Sequence, residues 1–259
     1  YVDKCINSAI NQSYNNKEII ISDDQSIDDT IKIAKCLLDK TTIKYKIIIN
    51  NSTGFVADNW NNAIKHASGQ YIKMLFQDDY LYSDCIEKMV ELSNKHTDLG
   101  LIFSLRDPVY EKHLLTNQNT KSTIKFILNQ KKYWDNITTV QQGLELFNNK
   151  YFIGGANIIG EPTNVLINKH VFSKIGYFNS SLIQFIDLEM WYRIALKYNV
   201  GFINKSLSGF RLHIEQLSNK NTKYNNEKVL AEKLNLYINL YQNLKKENIN
   251  KYYLTILKD

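Results

Sequence analysis

The chain has 259 residues, is 44% hydrophobic and carries a net charge of +6. This suits one large α/β domain, alone or with a helical appendix, and excludes a low-complexity linker. Its lysines are scattered without a block of like charge, which argues against a nucleic-acid partner. Cys5, Cys36 and Cys85 form no CxxC pair. They exclude a disulfide framework or zinc cage and fit a reducing, cytoplasmic compartment. No apolar run approaches the roughly 20 residues that span a bilayer, and no signal peptide is visible.

Glu18 to Ser22 (EIIIS) is a β-branched run suited to a buried parallel strand. Ser26 to Asp29 supplies N-cap residues for a helix with Ile31, Ala34 and Leu38 on one face. Ile43 to Ile49 reads as the next strand. Val56, Trp60, Ala63, Ile64 and Ala67 recur at helical spacing, closed by Gly69. Tyr71 to Phe76 is a strand, and Ser83 or Asp84 caps a helix that turns Ile86, Met89 and Val90 inward. Leu99 to Ser104 is a further strand. Strand and helix in alternation imply parallel pairing with right-handed crossovers.

Residues 105–150 are polar, with helical patches such as Val140 to Phe147, and read as a helical insertion. Val165 to Ile167, Val200 to Ile203 and Leu207 to Leu212 read as strands, and Phe185 to Tyr198 as a helix. From Tyr224 to Leu244, the residues Leu230, Leu234, Tyr237, Ile238, Tyr241 and Leu244 share a face of an amphipathic helix.

Two acidic pairs close strands: Asp23-Asp24 after EIIIS, and Asp78-Asp79 after YIKMLF. Ligands of open parallel sheets bind beyond the carboxyl ends of strands, so the pairs are expected on one rim. Carboxylates without cysteine or histidine at ligand spacing suit a hard cation, Mg²⁺ or Mn²⁺, which typically bridges nucleotide phosphates. A single Asp-Asp after a strand is also an ordinary turn or cap. It is the recurrence that points to function.

Four blocks in order resemble family 2 glycosyltransferases of GT-A fold. Tyr1 to Thr30 resembles the family's opening, with S-x-x-x-Q-x-Y followed by E-I-I-I-x-D-D-x-S-x-D-x-T. Gly54 to Tyr80 looks like its second block, with an N-W-N helix, an A-x-G-x-Y-I strand and a D-x-D-type motif. Ile158 to Arg193 carries G-E-P-T, F-x-x-x-G-x-F and D-x-E-x-W-x-R, and Arg211-Leu212-His213 resembles the closing R-x-H. The resemblance covers residues 1–218 and implies an α/β GT-A fold, a mostly parallel sheet flanked by helices, with residues 219–259 as a C-terminal helical extension. Family members carry a first strand and a P-x-Y-N turn before the position of Tyr1. A central strand is therefore expected to lack a neighbour.

The resemblance also implies roles. Asp24 contacts the nucleotide base, while Asp23 shapes its loop. Asp79 is the metal ligand and Asp78 bonds the ribose or sugar. Gln77 stands where many relatives have Asp, which leaves the donor's identity open. Asp187 is the catalytic base of an inverting transfer, taking the acceptor hydroxyl's proton, while Mn²⁺ or Mg²⁺ neutralises the departing diphosphate. Asp187 also suits a helix N-terminus for its dipole alone. His213 is placed near the metal and Arg211 near the diphosphate. Asn59 and Asn61 flank Trp60 and face the donor. Glu189 supports the site or faces the acceptor. Trp60 and Trp191 read as core, and Gly154-Gly155 as a turn or a close approach near the acceptor.

The implied activity is hexosyl transfer from a nucleoside-diphosphate sugar, a UDP-sugar first, to a glycan or glycolipid acceptor in bacterial surface polysaccharide synthesis. The expected location is cytoplasmic, with a peripheral contact at the inner face of the membrane left open to the tail helix. Two rivals stand. A nucleotidyl or phosphoryl transferase needs a Gly-rich phosphate loop or a placed lysine, and neither is evident. A non-catalytic sugar-nucleotide-binding module binds donor without turnover.

Overall fold

The computed structural model describes residues 1–51, 54–134, 138–224 and 226–246. The chain opens with α1 (Val2–Ile10), β1 (Glu18–Asp23), α2 (Thr30–Leu38), β2 (Lys44–Ile49), α3 (Val56–His66), β3 (Tyr71–Lys73), β4 (Tyr80–Leu81), α4 (Cys85–Lys95) and β5 (Leu99–Val109). Next come α5 (Gln118–Leu128), α6 (Gln130–Tyr133), β6 (Val140–Gln141), α7 (Lys150–Ile153), β7 (Val165–Asn168) and α8 (His170–Ile175). The last elements are α9 (Ile186–Ala195), β8 (Asn199–Arg211), α10 (Leu217–Tyr224) and α11 (Asn226–Lys246).

Two sheets form. β1 and β2 pair in parallel, Glu18 opposite Lys44 through Asp23 opposite Ile49. The second sheet runs β3-β7-β5-β8-β4, with β6 also on β8. No ladder hydrogen bonds join the two sheets among the described residues, so β1 is paired on one side only. Its isoleucines are accordingly half-exposed, where a central strand would bury them.

The larger sheet is mixed. β5 and β8 are parallel, but β7 runs antiparallel to both β3 and β5. β7 enters the sheet after a long excursion rather than a single crossover helix, which frees it from the right-handed parallel rule. Its short span also ends β3 at Lys73 instead of Phe76, because the β7 partner of Lys73 is Leu166 and the ladder stops there. β5 continues through Val109, so the segment read as an insertion begins in the sheet, not at residue 105. Val140 to Phe147 forms the short β6 and a 3-10 turn rather than a helix. β8 is one strand in place of two. Its register against β5 shifts beside Leu105, where Asn204 and Lys205 loop out into solvent.

The main core lies between β5, β7 and β8 on one side and α9 with the aromatic residues of α6 and α7 on the other. Trp191 is fully buried there, as its spacing indicates, and its indole nitrogen donates to the Gly160 carbonyl at 3.0 Å. Trp60 stacks on Phe76 with ring centroids 5.0 Å apart. Removing a buried aromatic of this kind typically costs about 3–5 kcal/mol.

The tail helix turns differently from its expected face. Leu236, Leu240 and Leu244 enter the core, whereas Leu230, Leu234 and Ile238 are exposed. Two polar contacts set that rotation. Buried Glu232 accepts from the amides of Ile183 and Gln184 at 2.7 and 3.0 Å, and the Tyr237 hydroxyl donates to the Gly154 carbonyl at 2.8 Å. Gly155 has φ +80°, and a Cβ there would lie 2.4 Å from that hydroxyl. The Gly154-Gly155 turn thus seats the tail helix. Residues 247–259 of the expected extension lie outside the described residues.

Candidate active site

Asp79 is positioned by the pairing of β4 with β8. Tyr80 stands opposite Gly209, whose missing side chain leaves room for the Tyr80 ring; a Cβ there would lie 2.4 Å from it. This brings Asp79 beside the end of β8, where its Oδ1 accepts from the Arg211 amide at 2.9 Å. Asp79 is 1% exposed, and its Oδ2 has no hydrogen-bond partner. Burial, reinforced by the charge of Asp78, pushes its carboxyl up to about 7; the Arg211 amide and the Thr163 hydroxyl pull the other way.

Asp78 faces the other direction. Its Oδ2 meets His213 Nε2 at 2.9 Å, and its carbonyl accepts from Arg211 Nε at 2.8 Å. The Arg211 guanidinium lies 4.5 Å above the Tyr1 ring, which also approaches His213. His213 therefore bonds Asp78 rather than Asp79 in this structure. Asp78 is partly exposed and Asp79 buried, because the turn at Gln77-Asp78, closed by the Asp79 amide on the Phe76 carbonyl at 3.1 Å, points them apart.

Among the described residues no three His, Cys, Asp or Glu side chains form a ready-made metal cage. The chemistry of the donors nevertheless fits a hard divalent cation. Carboxylate oxygen is the donor such a cation takes, and the orphaned Asp79 Oδ2 is a buried acceptor of the kind that a cation relieves.

Asp187 opens α9 from a second direction. Its Oδ2 accepts from Asn157 Nδ2 at 2.7 Å and its Oδ1 from the Leu188 amide at 2.7 Å. The group keeps a partial opening to solvent, yet desolvation, then the charge of Glu161, raises its carboxyl to about 7. Glu161 also raises Asp79, as the smallest of the causes acting there, so one negative charge acts on both acids.

Glu161 is the residue that sequence reasoning left unassigned, although its G-E-P-T block was in view. It is held by buried Arg106, with Nε and Oε2 2.7 Å apart as an ion pair whose angle falls outside a good hydrogen bond. Gln130 Oε1 accepts from Arg106 Nη1 at 2.9 Å. Gly160 has φ +104°, and any Cβ would press on Arg106 and Asn164 at 2.7 and 2.9 Å, so only glycine fits this turn.

The remaining expected residues divide. Asp23 accepts from the Ser26 amide at 2.8 Å, shaping the loop. Asp24 follows it on the smaller sheet, exposed and with Asn50 Nδ2 3.5 Å from its Oδ1. Asn59 and Asn61, expected to face the donor, are both hydrogen-bonded within the fold. Asn59 spends both amide atoms on Ser22, at 2.6 and 3.1 Å, tying α3 to β1. Asn61 does the same with the Phe178 backbone, at 2.8 and 3.0 Å. Their spacing on the helix was legible, but which neighbour satisfied them was not. Glu189 pairs with Arg193 at 2.7 Å, one turn along α9.

Sheets flanked by helices, with Asp79 just before β4 and Asp187 at the start of α9, make up a GT-A nucleotide-sugar transferase fold. Residues 1–154 match the family model described as glycosyl transferase family 2, more than half of the chain, and the chain belongs to that family. It is 29% identical over 220 residues to an uncharacterized glycosyltransferase of Rickettsia typhi, covering 85% of this chain and 62% of that protein, so the chain spans under two thirds of that relative's length. Its fold is similar to TarS of S. aureus, residues 1–349, in complex with UDP-GlcNAc, with TM-score 0.60, 16% identity, and 84% of this chain and 56% of that one covered. It is similar also to the mannosyltransferase PcManGT of Pyrobaculum calidifontis in complex with GDP-Man and Mn²⁺, with TM-score 0.60, 12% identity, and 83% and 54% covered. No described helix is long and apolar enough to cross a membrane.

Proposed function

We propose that this chain transfers a sugar, with inversion, from a nucleoside-diphosphate sugar to a hydroxyl of a glycan or glycolipid. The reading rests on one observation: Asp79 and Asp187 come from different elements, and both are raised to about 7 with Glu161 acting on each. Asp187 is the base. Ionised, it accepts the proton of the acceptor hydroxyl as that oxygen attacks the anomeric carbon. Asn157 fixes the carboxylate's direction, so little reorganisation is needed in the transition state.

Asp79, with Asp78 and His213 at its edge, would hold a divalent cation, Mn²⁺ or Mg²⁺, which would neutralise charge on the leaving diphosphate. Arg211, above Tyr1 and bonded to the Asp78 carbonyl, adds a fixed positive charge on the same side. Asp24, exposed beyond β1, meets the nucleotide base. The domain division follows the same reading, with residues 1–218 as the transferase unit and residues 219–259 as an extension.

The donor-bound neighbours support a UDP- or GDP-sugar donor, and the Mn²⁺ complex supports the cation. The test is nucleotide release from UDP-GlcNAc and GDP-mannose with and without Mn²⁺. Release that needs Mn²⁺ and is lost in Asp187→Asn supports the reading. Donor binding without release, acceptor glycans included, points instead to a binding module.

A further inference from the structure

The tail helix α11 buries one apolar stripe and leaves a second in solvent. Leu230, Leu234 and Ile238 are 59, 56 and 53% exposed, while Leu236, Leu240 and Leu244 enter the core. Glu232 and Tyr237 fix that rotation through the Ile183 and Gln184 amides and the Gly154 carbonyl. The exposed stripe cannot turn inward without breaking those bonds. At about 100° per residue, Glu227, Leu230, Leu234, Ile238, Tyr241 and Lys245 lie within about 40° of one line along the helix. Glu227 and Lys245 are exposed at its two ends, and Tyr241 is half-buried. The uncharged Ala231, Asn235 and Gln242 border the stripe on one side.

We infer that α11 is the contact helix of a symmetric homodimer, laid antiparallel on α11 of a second copy. A two-fold axis crossing the helix midway between Leu234 and Ile238 sets Leu234 of each copy beside Ile238 of the other. The same axis sets Glu227 against Lys245 at both ends. It sets Leu230 against Tyr241 with an offset of one residue, about 1.5 Å along the helix. The stripe is therefore self-complementary in apolarity and in charge, as an isologous contact requires. Parallel pairing would place Glu227 on Glu227 and Lys245 on Lys245, so the charges select the antiparallel direction. A lipid surface fits less well. An interfacial helix has a polar face rich in lysine and arginine, whereas this stripe carries an acid at one end, a base at the other and an uncharged flank. The contact is small beside the roughly 20–30 residues a side of a standard interface. The dimer is accordingly expected to dissociate at about 10–100 µM.

Sedimentation velocity of the whole chain, from tenfold below that range to tenfold above it, tests the inference. The average mass should climb from one chain to two. Leu234→Glu alters an exposed position and leaves the core intact. It should raise the dissociation constant about 100-fold or more, because symmetry buries the new charge twice. Glu227→Lys and Lys245→Glu should each raise it about three- to tenfold, as two surface ion pairs become two repulsions. The two reversals combined in one chain should restore the parent value. A chain that stays monomeric at every concentration overturns the inference, and if it also sediments with phosphatidylglycerol vesicles the stripe's occupant is lipid. A dimer that Leu234→Glu leaves intact overturns it as well. Single reversals without effect, or reversals that the combined variant does not rescue, overturn the antiparallel pairing and the inference with it. Circular dichroism separates a lost dimer from a lost fold, and if Leu234→Glu unfolds, the charge exchange decides alone.

Discussion

The two sheets treat their acids in opposite ways. On the six-stranded sheet, Asp79 is buried with one oxygen unpartnered, and Asp187 is desolvated at the start of α9. On the two-stranded sheet, Asp23 is spent on its own loop and Asp24 stands exposed. Desolvation raises a carboxyl's proton affinity and strengthens every charge interaction around it. Exposure leaves a carboxylate hydrated and suited to hydrogen-bonding a ligand. On the proposed reading, the larger sheet with α9 carries the chemistry, and the smaller one recognition.

The largest effect should come from the larger sheet. Asp187→Asn removes the base while keeping its size, and should lower the rate of transfer on the order of 10²–10⁴-fold with little change in donor affinity. A fall of less than tenfold would move the base elsewhere.

Asp79→Asn comes next, with a rate loss of about 10²–10³-fold and loss of Mn²⁺ dependence. The same variant carries a stability signature. An acid whose folded pKa is raised binds its proton more tightly in the native state than in the unfolded chain, so stability falls as pH climbs from about 4 through about 7. Metal-free Asp79→Asn should therefore melt higher than the parent protein at about pH 8, and the gap should close at about pH 4. Equal melting temperatures at the higher pH would mean that Asp79 is not held in a desolvated site.

A third effect follows from Asp187 itself. Only the ionised carboxylate accepts a proton, so kcat/KM should rise with pH through about 7 and then level. A limb near 4 would place the base in an exposed setting like that of Asp24.

The smallest effect belongs to the smaller sheet. Asp24→Ala should raise the donor KM by on the order of tenfold or less and leave kcat nearly unchanged, as expected for one hydrogen bond to bound nucleotide. A large fall in kcat would erase the distinction between the sheets.

Much of this was legible in the sequence because it is local. The β-branched run before Asp23, the strand before Asp78 and the N-terminal position of Asp187 on a helix all follow from periodicity and composition. What was not legible depends on partners distant in the chain. Asn59 and Asn61 sit where a helix presents them, yet Ser22 and Phe178 take their amides. The tail helix has two apolar stripes, and only Glu232 and Tyr237 decide which one turns inward. Glu161 gains its importance from Arg106, 55 positions earlier, a pairing that no spacing rule reveals.

The most direct test of the central claim is whether a cation at Asp79 is close to Asp187. With ¹³C-aspartate protein and UDP, added Mn²⁺ should broaden the Asp187 carboxyl signal, and Asp79→Asn should abolish the broadening. A sharp Asp187 line at Mn²⁺ and UDP concentrations that saturate binding would place cation and base in separate sites and contradict the account.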